Sequence, residues 1–198
     1  MRISEKTLYR TVIGGLLSVY ALSAFAHDGV HREVMGFADG FAHPFSGLDH
    51  ILAMVAIGLW AAQNKRSALW VLPVCFPLMM VAGAVFARSG YSLPQVESGI
   101  ASSLAVLGLL IAFAVKMPLW FATLIVSVFG ALHGYAHGRE ISANSSILLA
   151  GAGFVVATLL LHTCGLGLSW FARNSRLRSL IQLGGVGIAC TGLYSMLA

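Results

Sequence analysis

The sequence predicts an all-α integral membrane protein, a bundle of six transmembrane helices that follows a cleavable N-terminal signal peptide. The chain of 198 residues is 58% apolar and only 10% charged, whereas a soluble domain carries about 25% charged residues. Long segments lack Asp, Glu, Lys and Arg, and each approaches the about 20 residues that cross a bilayer. Their apolar residues do not alternate, so they predict helices. This composition argues against a soluble enzyme, and no basic patch is dense enough to predict nucleic-acid binding.

The first element is a secretory signal over residues 1–26. A basic start, an apolar stretch and an Ala-Phe-Ala cleavage pattern follow one another there. The alternative is an uncleaved first helix, but the 16 residues between Arg10 and His27 are short for a span. We therefore expect a mature chain that begins at His27, outside the cytoplasm, with residues 27–44 as a periplasmic segment.

The six spans occupy residues 45–198, and positive charge sets their direction. We place them near 45–63, 67–88, 97–115, 118–136, 145–168 and 179–197. With the mature amino terminus outside, the basic residues expected inside are Lys65, Arg66, Lys116, Arg173, Arg176 and Arg178, and those expected outside are Arg32, Arg88 and Arg139. This excess of inner charge agrees with the positive-inside rule. The sequence thus predicts a multi-pass protein of a bacterial inner membrane.

Small side chains within the spans predict the helix contacts. Membrane helices associate through small residues that let two backbones approach closely. Candidates are Gly99 with Ser103, Gly151 with Gly153, and Gly184 and Gly185 with Gly187. The three cysteines, Cys75, Cys164 and Cys190, form no CxxC motif and lie in apolar runs, so they are expected to be small buried side chains and not a disulfide framework.

Two polar clusters interrupt the apolar pattern. HPFSGLDH (residues 43–50) enters the first span, and HGYAHGRE (133–140) leaves the fourth. Because these spans run in opposite directions, both clusters are expected at the outer membrane face. Ionisable residues in a span are costly and indicate a functional site. The candidate ligands are His43, Asp49, His50, His133, His137 and Glu140.

The spacing of these residues predicts a metal site. His133 and His137 are four residues apart and Glu140 follows three later, so all three can share one helical face. Pro44 allows a break that turns His43 back toward the others. Imidazole with carboxylate suits divalent nickel, cobalt, zinc or copper. The alternative for any single histidine, or for Glu140, is an ordinary packing or solvated residue.

Four further residues are accessory candidates. Cleavage after Ala26 would give His27 a free α-amine beside its imidazole, so the tail with His27 and His31 is expected to collect metal, unless it has no role. Met54 lies four residues after His50, and His162 stands alone in the fifth span, either as a relay position or as a packing residue.

In these two clusters the sequence resembles the HupE/UreJ family of nickel and cobalt permeases. The resemblance rests on residues 43–50, continuing as Ile51-Leu52-Ala53-Met54 toward Gly58, and on residues 133–140. It implies an inner-membrane permease that brings nickel or cobalt from the periplasm to the cytoplasm, for hydrogenase or urease maturation or cobalamin synthesis. It further implies that His43, Asp49 and His50 select or pass the metal, with His133, His137 and Glu140 as companions.

The competing functions use the same histidines differently. A b-type haem electron carrier would use them as axial ligands, for example His50 with His133 or His162. A zinc or copper transporter would keep the site and change the ion. An intramembrane metallohydrolase is not favoured because the sequence has no HExxH. We therefore expect no enzyme and no permanently bound cofactor, a divalent ion and the lipid bilayer as partners, and no nucleic acid. A homo-oligomer and downstream metallochaperones stay open.

Overall fold

The computed structural model describes residues 35–141, 145–172 and 175–197, and the regular elements in these segments are all helices. The predicted signal peptide, His27 and His31 lie outside the described residues. The elements are α1 (Phe37–Ala42), a 3-10 turn (His43–Phe45), α2 (Leu48–Gln63), α3 (Ala68–Ala87), α4 (Val96–Ala112), α5 (Leu119–Glu140), α6 (Ile147–Phe171) and α7 (Ser175–Leu197). No strand occurs in the described segments, which confirms the all-α prediction.

The long helices are apolar enough to cross a membrane. Helices α3, α5, α6 and residues 176–197 of α7 each meet the length and hydropathy that a span requires. The segment from α1 to α2 meets them as a pair of helices bent by 83°. Helix α4 is apolar but has only 17 residues, about 26 Å at the α-helical rise. Each predicted span thus coincides with a helix, and four or five of the helices have the length of a span.

The bend between α1 and α2 follows from the local sequence. Pro44 is the second residue of the 3-10 turn, Ser46 donates to the carbonyl of His43, and Gly47 is extended before α2 begins. Proline lacks a backbone N–H, so it is tolerated where a helix starts. Helix α1 then lies against the start of α6, where the N–H of Met35 donates to Ser145 Oγ over 2.7 Å.

Helices pack in pairs through glycine. Helix α3 packs on α5, α4 on α7, and α2 on α6. A Cβ added at Gly134 would overlap Met80, one at Gly108 would overlap Ala189, and one at Gly165 would overlap Val55. Such contacts bring two backbones together where lipid gives no hydrophobic drive.

The sequence located only part of these contacts. Gly153 and Gly185 touch neighbouring backbone as predicted, and Gly99 meets only a side chain of Leu132. The prediction is wrong for a set of glycines that face open space, namely Gly151, Gly184 and Gly187. Periodicity alone does not tell which face of a helix meets a neighbour when both faces are apolar.

The two ends of the bundle differ. At one end, called the far end here, Trp60 Nε1 donates to the carbonyl of Val115, and the N–H of Met117 donates to Asn64 Oδ1. These bonds join the loops that carry Lys65 and Lys116. The opposite end, called the α1 end here, holds α1, the start of α2 and the end of α5.

Helix α2 forms the centre, and the outer faces are apolar. Met54, Ile57 and Trp60 of α2 are fully buried. Large apolar side chains such as Leu78 are exposed on the outside, as expected of surfaces that meet lipid. Cys75 is half-buried, but Cys164 and Cys190 are exposed. The prediction of three buried cysteines is therefore wrong for two, because apolar side chains in a membrane helix need not face inward.

Candidate metal centre

Three imidazoles meet at the α1 end. His43 comes from the 3-10 turn, His50 from the first turn of α2, and His137 from the last turn of α5. Each offers one ring nitrogen, and these nitrogens all lie within 4.8 Å of one another. Ligands around one ion at about 2.0–2.1 Å stand at most about 4.2 Å apart, so small side-chain movements suffice to bring them onto a common ion.

Glu140 joins two of these histidines. Its Oε2 lies 3.2 Å from His43 Nε2 and 3.2 Å from His137 Nδ1. The second contact spans three residues on α5, the helical spacing that the sequence predicted. Its side chain is 48% exposed, so the carboxylate stands at the rim of the cluster, where it can attract a cation from solution.

Asp49 provides a second carboxylate at the rim. Its Oδ1 lies 3.0 Å from His50 Nδ1, and the side chain is partly exposed. Gly47 makes room for this pair, since a Cβ there would meet Asp49 Oδ1 and His50 Nδ1. The backbone of Gly47 is extended, a conformation that any residue can adopt. The glycine of HPFSGLDH is therefore needed for the space that it leaves and not for its conformational freedom.

Phe154 of α6 packs beneath the cluster, and sequence reasoning missed it. Its ring stacks on His137 with centroids 4.5 Å apart and lies edge-on to His43 at 5.0 Å. The ring is buried, so it limits how far the imidazoles can turn. A phenylalanine in an apolar run carries no signal that separates it from other core residues.

His133 lies deeper than the other candidates. Its ring centroid is 6.1 Å from that of His50, and its Nδ1 donates to the carbonyl of Phe129 over 2.8 Å. The structure therefore brings His43, His50, His137 and Glu140 together in what is called the outer group here. It places Asp49 beside His50 and leaves His133 next to this group rather than in it.

Two of the accessory candidates, Met54 and His162, lie within the described residues. Met54 is buried one turn after His50, and its carbonyl accepts the Nδ1–H of His162 over 2.7 Å. His162 is fully buried at the centre of the bundle. These two residues thus contact each other.

Tyr135, in the middle of the second motif, holds the end of α5 in place. It is buried, its hydroxyl donates to the carbonyl of Tyr91 over 2.8 Å, and it accepts from the N–H of Leu93. Arg88 donates to the carbonyl of Ile141, just after α5 ends. These bonds fix the end of α5, and with it His137 and Glu140, against the loop that follows α3.

Comparisons with known proteins agree with the resemblance in the two motifs. The family model described as HupE / UreJ protein matches residues 16–195. Protein HupE of Rhizobium leguminosarum bv. viciae is 40% identical over 176 residues, which cover 89% of this chain and 92% of that protein. No solved structure matches the chain. The two motifs, the helical bundle and the match over most of its length agree, and the chain belongs to the HupE/UreJ family, which is associated with nickel and cobalt uptake.

Proposed function

We propose that this protein is a permease of the bacterial inner membrane that carries Ni²⁺ or Co²⁺ from the periplasm to the cytoplasm. The observation that supports it most is the group of three imidazoles within 4.8 Å, with Glu140 bridging two of them. Borderline divalent ions prefer this ligand set. The family supports nickel or cobalt as the cargo and hydrogenase or urease as the user, and cobalamin synthesis is a further user in this proposal.

The charge distribution supports an outward-facing site. Lys65, Arg66 and Lys116 lie in the joined loops of the far end, and Asp49 and Glu140 lie at the α1 end. Basic loops stay in the cytoplasm, so the α1 end faces the periplasm. This direction requires six spans, with α4 as a short one, and a mature amino terminus outside.

The ligands act in sequence from the rim inward. Asp49 and Glu140 attract the hydrated ion, and His43, His50 and His137 replace part of its water. His133 takes the ion next, and the tail residues His27 and His31 deliver ions to the rim. A conducting site must bind weakly enough to release, and the partly exposed carboxylates and separate elements allow ligands to exchange one at a time.

The geometry disfavours the haem alternative. The rings of His43, His50 and His137 have centroids 4.9 to 5.7 Å apart, and Glu140 contacts two of them, which leaves no slot for a porphyrin. The space between His133 and His162 holds the ring of Phe76.

Uptake of radiolabelled nickel and cobalt into proteoliposomes tests the function. We expect uptake by the parent protein and a strong loss in His50→Ala and His133→Ala. The control is Glu97→Gln, which changes an exposed carboxylate at the start of α4 and should transport like the parent. No uptake by the parent contradicts the function, and equal uptake by all variants contradicts the site. Zinc and copper added as competitors test the alternative cargo.

A further inference from the structure

Two imidazoles in the interior of the bundle have the same unusual arrangement. His133 and His162 are 1% and 0% exposed, and each Nδ1 lies within 2.8 Å of a backbone carbonyl, those of Phe129 and Met54. A carbonyl only accepts, so the proton is on Nδ1. Each Nε2 then carries a lone pair, and neither has a hydrogen-bond partner among the described residues.

This arrangement is that of a metal ligand. A histidine that binds a metal through one nitrogen almost always donates its other ring N–H to a carbonyl or carboxylate, which fixes the tautomer. A buried acceptor without a partner lowers stability, and a packing role for His162 would need only the bond from Nδ1. The free Nε2 therefore requires another explanation.

The ring of Phe76 lies between these two imidazoles. Its centroid is 5.3 Å from that of His133 and 5.5 Å from that of His162. Phe76 belongs to α3, between Pro73 and Pro77. Each proline removes one backbone hydrogen bond from the helix, so α3 is less constrained around this ring than an ordinary helix.

The rings of His133, Phe76 and His162 form a row that continues in both directions. Toward the α1 end, the ring of His133 follows that of His50, which is 17% exposed. Toward the far end, Leu166 and Ser169 follow His162 by four and seven residues on α6, and both line a cavity of about 820 Å³. That cavity also contains Gln63 and Lys116, which places it at the far end of the bundle.

We propose that His162 is a second, interior binding position for a borderline divalent transition-metal ion, and that the ring of Phe76 is the gate between it and His133. This inference rests on the proposed function and adds a step to it. The ion leaves the outer group for His133, passes Phe76 when the ring turns aside, binds His162 Nε2, and reaches the far cavity one helical turn later.

The matched variants His162→Asn and His162→Gln test the interior position. The amide of Asn reaches about as far as Nδ1 and keeps the bond to the carbonyl of Met54, but it offers nothing at the position of Nε2. In proteoliposomes that contain a nickel-sensitive dye, we expect His162→Asn to lower uptake about tenfold or more. Nickel binding to the outer group, measured by titration calorimetry on detergent-purified protein, and the Tm should stay at the parent values.

The outcomes separate this inference from the proposed function. Uptake by His162→Asn at the parent rate overturns the interior position. A loss of uptake in both variants that is accounted for by a lower Tm overturns it as well. Uptake that is lower in His162→Asn than in His162→Gln supports it. If the parent itself takes up no nickel, the proposed function has failed, whatever the variants do.

The gate is tested by Phe76→Ala with Leu72→Ala as its control. Leu72 is also fully buried on α3, one turn before Phe76, so its truncation opens a cavity in the same helix while the ring of Phe76 stays between the two imidazoles. Mg²⁺ sheds water reluctantly, so we expect the parent and Leu72→Ala to exclude it and Phe76→Ala to admit it. Equal Mg²⁺ exclusion by Phe76→Ala and the parent overturns the gate.

Discussion

At the scale of single residues, the placement of the ligands in the outer group depends on the room left by small neighbours as well as on the chemistry of the ligands. Gly47 has an ordinary extended backbone, yet an added methyl group would collide with the Asp49 carboxylate and the His50 ring. Both are side-chain atoms that can move. Substitution there is therefore expected to displace the ligands and leave the fold intact.

Gly47→Ala tests this expectation. We expect nickel affinity to fall, because Asp49 and His50 must move away from the new Cβ, while the Tm stays near that of the parent. Titration calorimetry and a thermal-shift assay measure the two effects. Gly151→Ala is the control, since a Cβ there meets nothing within 4 Å. Unchanged affinity in Gly47→Ala would mean that the pair has no part in binding.

Glu140 carries a second prediction at this scale. Its Oε2 contacts both His43 and His137, so Glu140→Gln removes the charge that is proposed to draw the ion and weakens the bridge. We expect metal affinity to fall about 10- to 100-fold, the usual cost of losing a group that orients metal ligands. The exposed Glu97→Gln should bind like the parent, and a matching loss in both variants would point to general attraction of cations instead of a site.

At the scale of helices, the contact between α2 and α6 determines the interior of the bundle. A Cβ at Gly58 would overlap the carbonyl of His162, and one at Gly165 would overlap that of Val55. Ser169 also donates to the carbonyl of Leu59. This close approach is what brings His162 within hydrogen-bond distance of Met54.

Gly165→Ala is expected to separate these helices. Inserting a methyl group into a close-packed contact costs about 1–3 kcal/mol, so the Tm should fall and uptake should weaken as His162 moves from Met54. Gly167→Ala provides the control on the same helix, because a Cβ there meets nothing within 4 Å. Equal Tm values for the two variants would contradict the described contact.

The helices were largely predictable, and their ends were not. Runs without charge identify α2 to α7 but not α1, which contains Asp39. The predicted fourth span also ends at residue 136, whereas α5 continues to Glu140. Arg139 and Glu140 fall beyond the predicted span, although the spacing from His133 predicts Glu140 on the same helical face. The contact from His137 to Glu140 and the bond from Arg88 to Ile141 hold them in the last turn. Such support comes from tertiary contacts that no local pattern contains.

The candidate site was predictable only where its residues are polar. His43, His50, His137 and Glu140 stand out from an apolar background, and the opposite directions of their spans predicted one common end. Phe154 and Phe76 were missed because a phenylalanine in an apolar helix has no distinguishing pattern. Their roles depend on which ring lies against which imidazole, and that depends on packing.

At the scale of the whole molecule, the α1 end and the far end should face different compartments. In a variant whose three cysteines are replaced by serine or alanine, new cysteines at Ser89 and Lys65 sample the two ends, since both positions are exposed. A membrane-impermeant thiol reagent added to intact spheroplasts should label Ser89→Cys and spare Lys65→Cys. The reverse pattern would invert the proposed direction of transport.

The bond from His162 to the carbonyl of Met54 joins residues that are 108 positions apart. This separation determines how long after the synthesis of Met54 the bond can first form. A ribosome that adds about 5–20 residues per second needs roughly 5 to 20 seconds to pass from one to the other. The first motif therefore enters the membrane well before its partners on α5 and α6 exist. The nascent chain therefore has no complete group of the proposed ligands that could trap a metal ion during translation, and it acquires one only when most of the protein has been made.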